Sequence, residues 1–462
     1  MKKRNTNVFW LFFILLFNII FFRHNGYALQ NYDLIMSPFV RMEISSSMNP
    51  TGSGARAIGM GSAFISVADD ATAASWNPGG LIQLDQPETS LVLDYTYRKE
   101  GNDFGKIPEA NNKASVSDFK INYLSFAYPF CLNDTEMIVS LNIQHLYDFN
   151  IDWQFIVDHN TPGFASPVQY SYQQNGGIYG VGLAYSIQVS PKLSAGITFN
   201  YNGKLGFQQY SWKQDYREKG SLHLPPPPAS NRLYGYFNHH KEEEFSLKGF
   251  NANIGFLYRI SEKLTVGGVL KTPYKATIDH CIKEEWTIHF PDSPDDNTHL
   301  TKFENYKENL RIPMSYGLGV AFRFSDAFTM SADIYQTNWK KFEYEHEDGN
   351  RTSPITGKKM IYTDINNTTW FRMGAEYQFI RKTMIIPLRA GIMIDPSPDH
   401  RSPDDYYGFS VGSGISLYSG YAFDIGYQFR TGNNVGSSRL SNHHFSQDVR
   451  EHKLFSSMII YF

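Results

Sequence analysis

Leu193-Ser194-Ala195-Gly196-Ile197-Thr198-Phe199-Asn200-Tyr201-Asn202 decides the fold. Every odd position is apolar and every even one small or polar. Successive side chains of a strand point to opposite faces, so this stretch has one oily face and one polar face. The pattern repeats along the chain. Tyr316, Leu318, Val320, Phe322 and Phe324 follow it, as do Phe371, Met373, Ala375, Tyr377 and Phe379. Phe423, Ile425, Tyr427 and Phe429 alternate with Asp424, Gly426, Gln428 and Arg430. After residue 88 the chain divides into about fourteen such segments. Short joins near 130–136, 189–192, 260–263, 324–327, 379–384 and 417–420 alternate with long ones near 98–119, 148–177, 204–248, 272–311, 340–369, 395–406 and 430–451. An up-and-down membrane barrel has this rhythm, with an even strand number, tight turns on one side and long loops on the other.

A soluble sandwich would hide the oily faces inside, and a barrel would turn them to lipid. Most segments run about 10–13 residues, against about 5–6 for soluble strands and about 9–11 for a tilted membrane strand. An aromatic content of 16% suits interfacial girdles. Arg372, Glu376 and Arg430 share the small-residue face, and an arginine at mid-membrane on the lipid side costs about 2–4 kcal/mol. That face therefore looks into the lumen. The predicted fold class is all-β, a 14-stranded antiparallel transmembrane barrel over 89–462.

Composition fits an outer-membrane location. Mean hydropathy is −0.38 and 19% of residues are charged, because half of each strand and all loops are wet. A net charge of −3 gives no footprint for nucleic acid. Cys131 and Cys281 are the only cysteines, and supply neither metal spacing nor a disulfide framework. Lys2, Lys3 and Arg4 followed by the apolar run Val8 to Phe22 read as an export signal over 1–28, with cleavage expected after Ala28. The last residues, Met458-Ile459-Ile460-Tyr461-Phe462, look like the terminal-strand signal read by the outer-membrane barrel-assembly machinery. That machinery and the lipopolysaccharide-bearing membrane are the expected partners.

Residues 45–88, within a 29–88 N-terminal segment, do not alternate. They are small and Gly-rich, with Trp76 beside the turn Asn77-Pro78-Gly79-Gly80. Such a stretch packs tightly and bends easily, and its place before the first strand predicts a plug in the lumen. Gly59-Met60-Gly61-Ser62-Ala63-Phe64, Ala68-Asp69-Asp70-Ala71-Thr72-Ala73 and Trp76-Asn77-Pro78-Gly79-Gly80-Leu81 resemble the N-terminal hatch of the FadL/TodX family of outer-membrane transporters for long-chain fatty acids and aromatic hydrocarbons. The similarity continues in Arg311-Ile312-Pro313-Met314-Ser315-Tyr316-Gly317, Ala332 to Trp339 and Arg389 to Pro398. The resemblance implies fourteen strands, a gating hatch at Trp76, Asn77, Pro78 and Gly79, and hydrophobic substrates. Gly79 stands where the family has alanine, which implies a looser turn. It also implies lateral release at a kink in the third strand, although 136–148 contain no Gly or Pro to mark one. PorV-type barrels, similar in fold and hatch, act in protein secretion or surface attachment, so that role is the alternative.

The stretch 205–247 carries Phe207, Tyr210, Trp212, Tyr234, Tyr236 and Phe237 and four prolines at 225–228. Aromatic residues at this density on a loop predict an apolar collecting surface. Arg372 and Arg430 are the candidate lumenal partners for a ligand carboxylate. No catalytic residue, cofactor or metal site is expected. Adjacent histidines at His239-His240 and His443-His444 point opposite ways in an extended chain, and Glu242-Glu243-Glu244 reads as a solvated charge run. Gly408-Phe409-Ser410-Val411-Gly412 imitates a hydrolase elbow, but its serine lies mid-strand.

Overall fold

The computed structural model describes residues 52–462 apart from 159–163, 207, 225–232, 293, 295–296 and 439–443. The export signal, Phe207 and the four prolines lie outside these residues. One antiparallel sheet closes on itself as a 14-stranded barrel. Its strands are β1 (Glu88–Phe104), β2 (Asn112–Leu132), β3 (Thr135–Asp148, continued by Ile151–Val157), β4 (Phe164–Ser190) and β5 (Leu193–Gly203, continued by Trp212–Leu224). There follow β6 (Leu233–Arg259), β7 (Leu264–Lys271, continued by Tyr274–His289), β8 (Thr298–Ile312, continued by Ser315–Ser325), β9 (Phe328–Thr337) and β10 (Thr368–Ile380). The circuit ends with β11 (Met384–Ile394), β12 (Tyr407–Leu417), β13 (Tyr421–Val435) and β14 (Phe445–Tyr461). β14 pairs with β1 from Glu88↔Tyr461 to Phe104↔Phe445 and closes the barrel.

The short joins are the tight turns expected. The long joins are different: most of 98–119, 148–177, 204–248 and 272–311 is strand, not loop. β4 and β6 each run 27 residues. At about 3.3 Å per residue each measures about 90 Å, far more than a tilted strand needs to cross a hydrocarbon core of about 30 Å. β6 shows where the membrane ends. Its outward side chains are Phe250, Ile254, Phe256 and Tyr258 in the lower part, all exposed, then Lys248, Ser246, Glu244, Glu242 and Asn238 above. Its inward side chains do the reverse, passing from Gly255, Asn253 and Gly249 to Leu247, Phe245 and Phe237. The oily face changes sides near residue 249 because the solvent outside changes from lipid to water. β2 changes in the same way, from exposed Phe126, Leu124, Ile121 and Phe119 to Ser117, Ser115 and Lys113.

The wall is unequal in height. β1–β8 and β14 rise above the membrane, whereas β9–β12 stop near its edge at 10–13 residues. On that low side the segment 338–367 folds inward. It buries Trp339, Phe342, Tyr344 and Ile365, and adds a short strand, Glu343–Glu345, beside Asn309–Arg311 of β8. Cys131 and Cys281 are free and exposed.

Candidate functional site: the plugged lumen

The plug occupies the lower lumen. It has a short helix α1 (Ala55–Gly59), a turn of helix α2 (Ala73–Trp76) and a 3-10 segment Pro78–Gln83, nearly all buried. Its amides and carbonyls are met by short polar side chains from the wall, which is why the inward face of each lower strand is small and polar. Phe64 N and Ile65 N both donate to Asp333 Oδ2, at 2.7 and 2.9 Å. Ser331 Oγ donates to the Ala63 carbonyl at 2.6 Å, and Thr198 Oγ1 to that of Ala74 at 3.0 Å. Ser410, the serine of the false elbow, donates to the Gly59 carbonyl at 3.0 Å and accepts from Gly61 N at 2.8 Å. Arg56 makes a forked ion pair with Glu376 of β10, at 3.0 and 2.9 Å, and also pairs with Asp69 inside the plug.

The predicted hatch residues fall into two roles. Asn77, fully buried, donates from Nδ2 to the carbonyls of Ile65 and of Phe256 in β6, at 2.8 Å each, and accepts from Gly79 N at 3.1 Å. It therefore ties plug to wall while capping the turn. Pro78 and Gly79 press on bare backbone. A Cβ at Gly196 would lie 2.4 Å from Pro78, and one at Gly79 would lie 2.8 Å from the Phe256 Cα. Glycine at 79 thus makes the turn tighter against the wall, not looser. Trp76 holds the plug to itself, with Nε1 donating to the Ser53 carbonyl at 2.7 Å and its ring edge-on to Phe64.

Above the plug the lumen wall is aromatic. Trp212 stacks on Phe245 at 4.8 Å between ring centres, and Phe245 on His280 at 4.2 Å. Higher up, Phe155 stacks on Tyr170 at 5.2 Å, and Phe104, Trp153 and Phe445 complete a cluster with Phe237. The residues predicted as a collecting loop are therefore distributed. Trp212 and Phe237 point inward, into separate clusters. Tyr210 is half-buried, Tyr234 and Tyr236 pack together on the outer face, and Phe207 is outside the described residues.

Arg372 and Arg430 are both buried in the lumen and share one partner. Asp395 stands 3.6 Å from Arg372 and 3.2 Å from Arg430, while the guanidiniums lie over the rings of Trp370 and Tyr406. A narrow cleft, with room for little more than a water molecule, separates plug from wall here. Gly52, Ser62, Ile65 and Trp76 line it from the plug, and Lys271, Asp333, Tyr335, Trp370 and Arg372 from β7, β9 and β10. Sequence reasoning missed Lys271 and Asp333. Asp333 sits on the polar face of an alternating segment, which was signal enough; Lys271 falls where the alternation of β7 breaks at Pro273.

The seam between β2 and β3 bears on lateral release. Their ladder runs from Leu132↔Thr135 only to Tyr123↔Gln144. Above it β2 pairs with β1 and β3 with β4, and among the described residues the gap is bridged by side chains: Lys120 to Asp148, and Asn150 Nδ2 to Asp118 at 2.9 Å. β3 is irregular at His145–Tyr147 without Gly or Pro of its own. Opposite it, Gly177 would clash with the Tyr147 carbonyl if it carried a Cβ, so the glycine that permits the bend is on β4.

A profile of outer membrane protein transport proteins (OMPP1/FadL/TodX) matches residues 46–453. The chain belongs to the OMPP1/FadL/TodX family. As a family member it is an outer-membrane β-barrel, and the family consists of transport channels. Solved members share the fold at low identity. A Pseudomonas aeruginosa FadL homologue is 16% identical with a TM-score of 0.53, covering 90% of this chain and 98% of its own. The Pseudomonas putida toluene transporter TodX is 14% identical with a TM-score of 0.55, covering 90% and 99%. The Ralstonia pickettii toluene transporter TbuX is 12% identical with a TM-score of 0.50, covering 90% and 99%. No curated protein matches the sequence.

Proposed function

We propose that this barrel admits hydrophobic molecules through the outer membrane, past a plug that gates the lower lumen. The observation that carries this is the inversion of the inner face: aromatic above the plug, small and polar around it. An apolar solute that lipopolysaccharide excludes would find an aromatic descent from the rim, through the Phe104–Phe155–Tyr170 cluster and the Trp212–Phe245 stack, to the cleft beside Trp76. Tyr234 and Tyr236 would make first contact near the rim. The plug turn at Asn77, Pro78 and Gly79 would have to leave the wall for the ligand to pass, and the side-chain-bridged seam at Lys120 and Asp148 supports a sideways exit.

Fatty acids or aromatic hydrocarbons both fit an aromatic descent. Two cations in the cleft favour a ligand with a carboxylate: Arg372 and Lys271, the latter in no ion pair among the described residues. Labelled palmitate and toluene uptake by cells whose only such barrel is this chain tests the reading. Barrel-dependent entry of either supports it. Lys271→Met should cut palmitate entry several-fold and leave toluene unchanged. Entry of neither, with the protein co-purifying with a secretion machine, would favour the export role instead.

A further inference from the structure

Outside the lumen, the β5–β6 hairpin carries ligand-type side chains that the transport path does not use. Asp215 of β5 lies directly across the ladder from Glu242 of β6, and His240 is two residues from Glu242 on the same outward face. One donor atom from each of these three lies within 4.8 Å of the other two. His240 Nε2 is 2.9 Å from Asp215 Oδ2, and its Nδ1 faces Glu285 of β7 at 3.7 Å. His239, the neighbour in sequence, points into the lumen, so convergence comes from the adjacent strand and not from the histidine pair.

We propose that Asp215, His240 and Glu242 form a site for a first-row transition-metal dication of the zinc class, with water completing the shell. One imidazole and two carboxylates are a donor set for such ions, whereas calcium takes six to eight oxygens. Bond lengths of about 2.0–2.2 Å need the donors drawn slightly closer, which side-chain rotation supplies on paired, rigid strands. A carboxylate behind the second ring nitrogen is the usual support of a metal-bound histidine, and Glu285 stands there. The present partners of the acids, Arg217 at 2.8 Å from Asp215 and Lys213 at 2.7 Å from Glu242, are solvent-facing ion pairs. Such pairs are weak and exchange readily for metal bonds. The site lies well above the membrane edge at residue 249, in reach of external ions.

Calorimetric titration of the purified full-length barrel in detergent with Zn²⁺, repeated in excess Ca²⁺, tests the proposal. The wild type should bind one zinc that calcium does not displace. His240→Gln and Asp215→Asn should each weaken that event at least about tenfold, while His299→Gln, another exposed imidazole, leaves it unchanged. Unaltered heat-dependent gel migration would show that the variants remain folded. Zinc binding by His240→Gln equal to wild type, or full competition by calcium, would overturn the site and leave only an acidic patch.

Discussion

The lower and upper halves of β6 use one alternating pattern for opposite ends. Below residue 249 the apolar side chains face out to lipid and the small ones face in to the plug. Above it the charged side chains face out to water and Phe245, Leu247 and Phe237 face in. The backbone of β6 runs unbroken across the change, although both neighbours are interrupted beside it, β5 between Gly203 and Trp212 and β7 between Lys271 and Tyr274. Which face is oily is therefore set by the medium on the far side of the wall, not by anything local to the strand. The inner faces differ as a consequence: the lower one grips backbone through serines, an aspartate and glycines, and the upper one offers rings.

The largest effect should come from putting one charge on the same face of both halves. Ile254→Arg, at the centre of the lipid-facing belt, costs about 2–4 kcal/mol and should prevent assembly. Ser246→Arg, eight residues along on the same face but in water, should assemble like the wild type. Heat-dependent gel migration of outer-membrane fractions reads both; equal assembly would erase the boundary placed near residue 249.

A smaller effect separates the plug-facing wall from the outer face of the barrel. A Cβ on Gly426 would lie 2.3 Å from the Ala55 carbonyl of the plug, whereas one on Gly101, on the water-facing side of β1, meets nothing nearer than 3.9 Å. Overpacking costs about 1–3 kcal/mol, so Gly426→Ala should loosen the plug and raise ion conductance in planar bilayers without preventing insertion. Gly101→Ala should conduct no more than wild type. For the same reason Gly426→Arg, harmless on a bare lumen wall, should be severe here.

The smallest effect is a pH dependence confined to the upper half. Burial acts to raise the Glu308 carboxyl, but hydrogen bonds from His280, His346 and Tyr344 prevail and hold it down at about 2. Burial acts to lower His280, and its bonds to Glu243 and Glu308 prevail to raise it. Glu308 therefore contributes stability above its unfolded pKa, lost only as pH falls through about 2. His280 contributes below its unfolded pKa, and that contribution is lost as pH rises through its raised folded value. Hydrogen exchange of Glu343–Glu345, normalised for intrinsic rate, should quicken on the alkaline side of neutrality. The plug, without this cluster, should show no parallel change, and His280→Phe should flatten the response.

The lower half was legible because its alternation runs against lipid and matches the length of a membrane crossing. Fourteen segments, tight turns and the inward arginines follow from it, and the stretch before the first strand stood out as a plug because it is small, Gly-rich and does not alternate. The upper half was not, because there Glu242-Glu243-Glu244 and the rings around it look like a solvated loop. In the structure Glu243 is buried against His280 and Lys241 while Glu242 and Glu244 face water. Phase inversion in an unbroken strand reads as the end of the strand when one oily face is being followed. Lys271 and the bend in β3 needed partners from distant strands, which spacing along one segment does not supply.

Glycines 196, 255, 267, 374, 391, 412 and 426 of the wall each lie where a methyl group would strike or crowd the plug. The lock is cut to one key. A plug borrowed from a relative only about 14–16% identical would meet a differently notched wall, so exchange of plugs between members should fail unless these positions travel with them. Drift in either partner is held back by the other, which ties two stretches of chain separated by hundreds of residues into a single unit of inheritance.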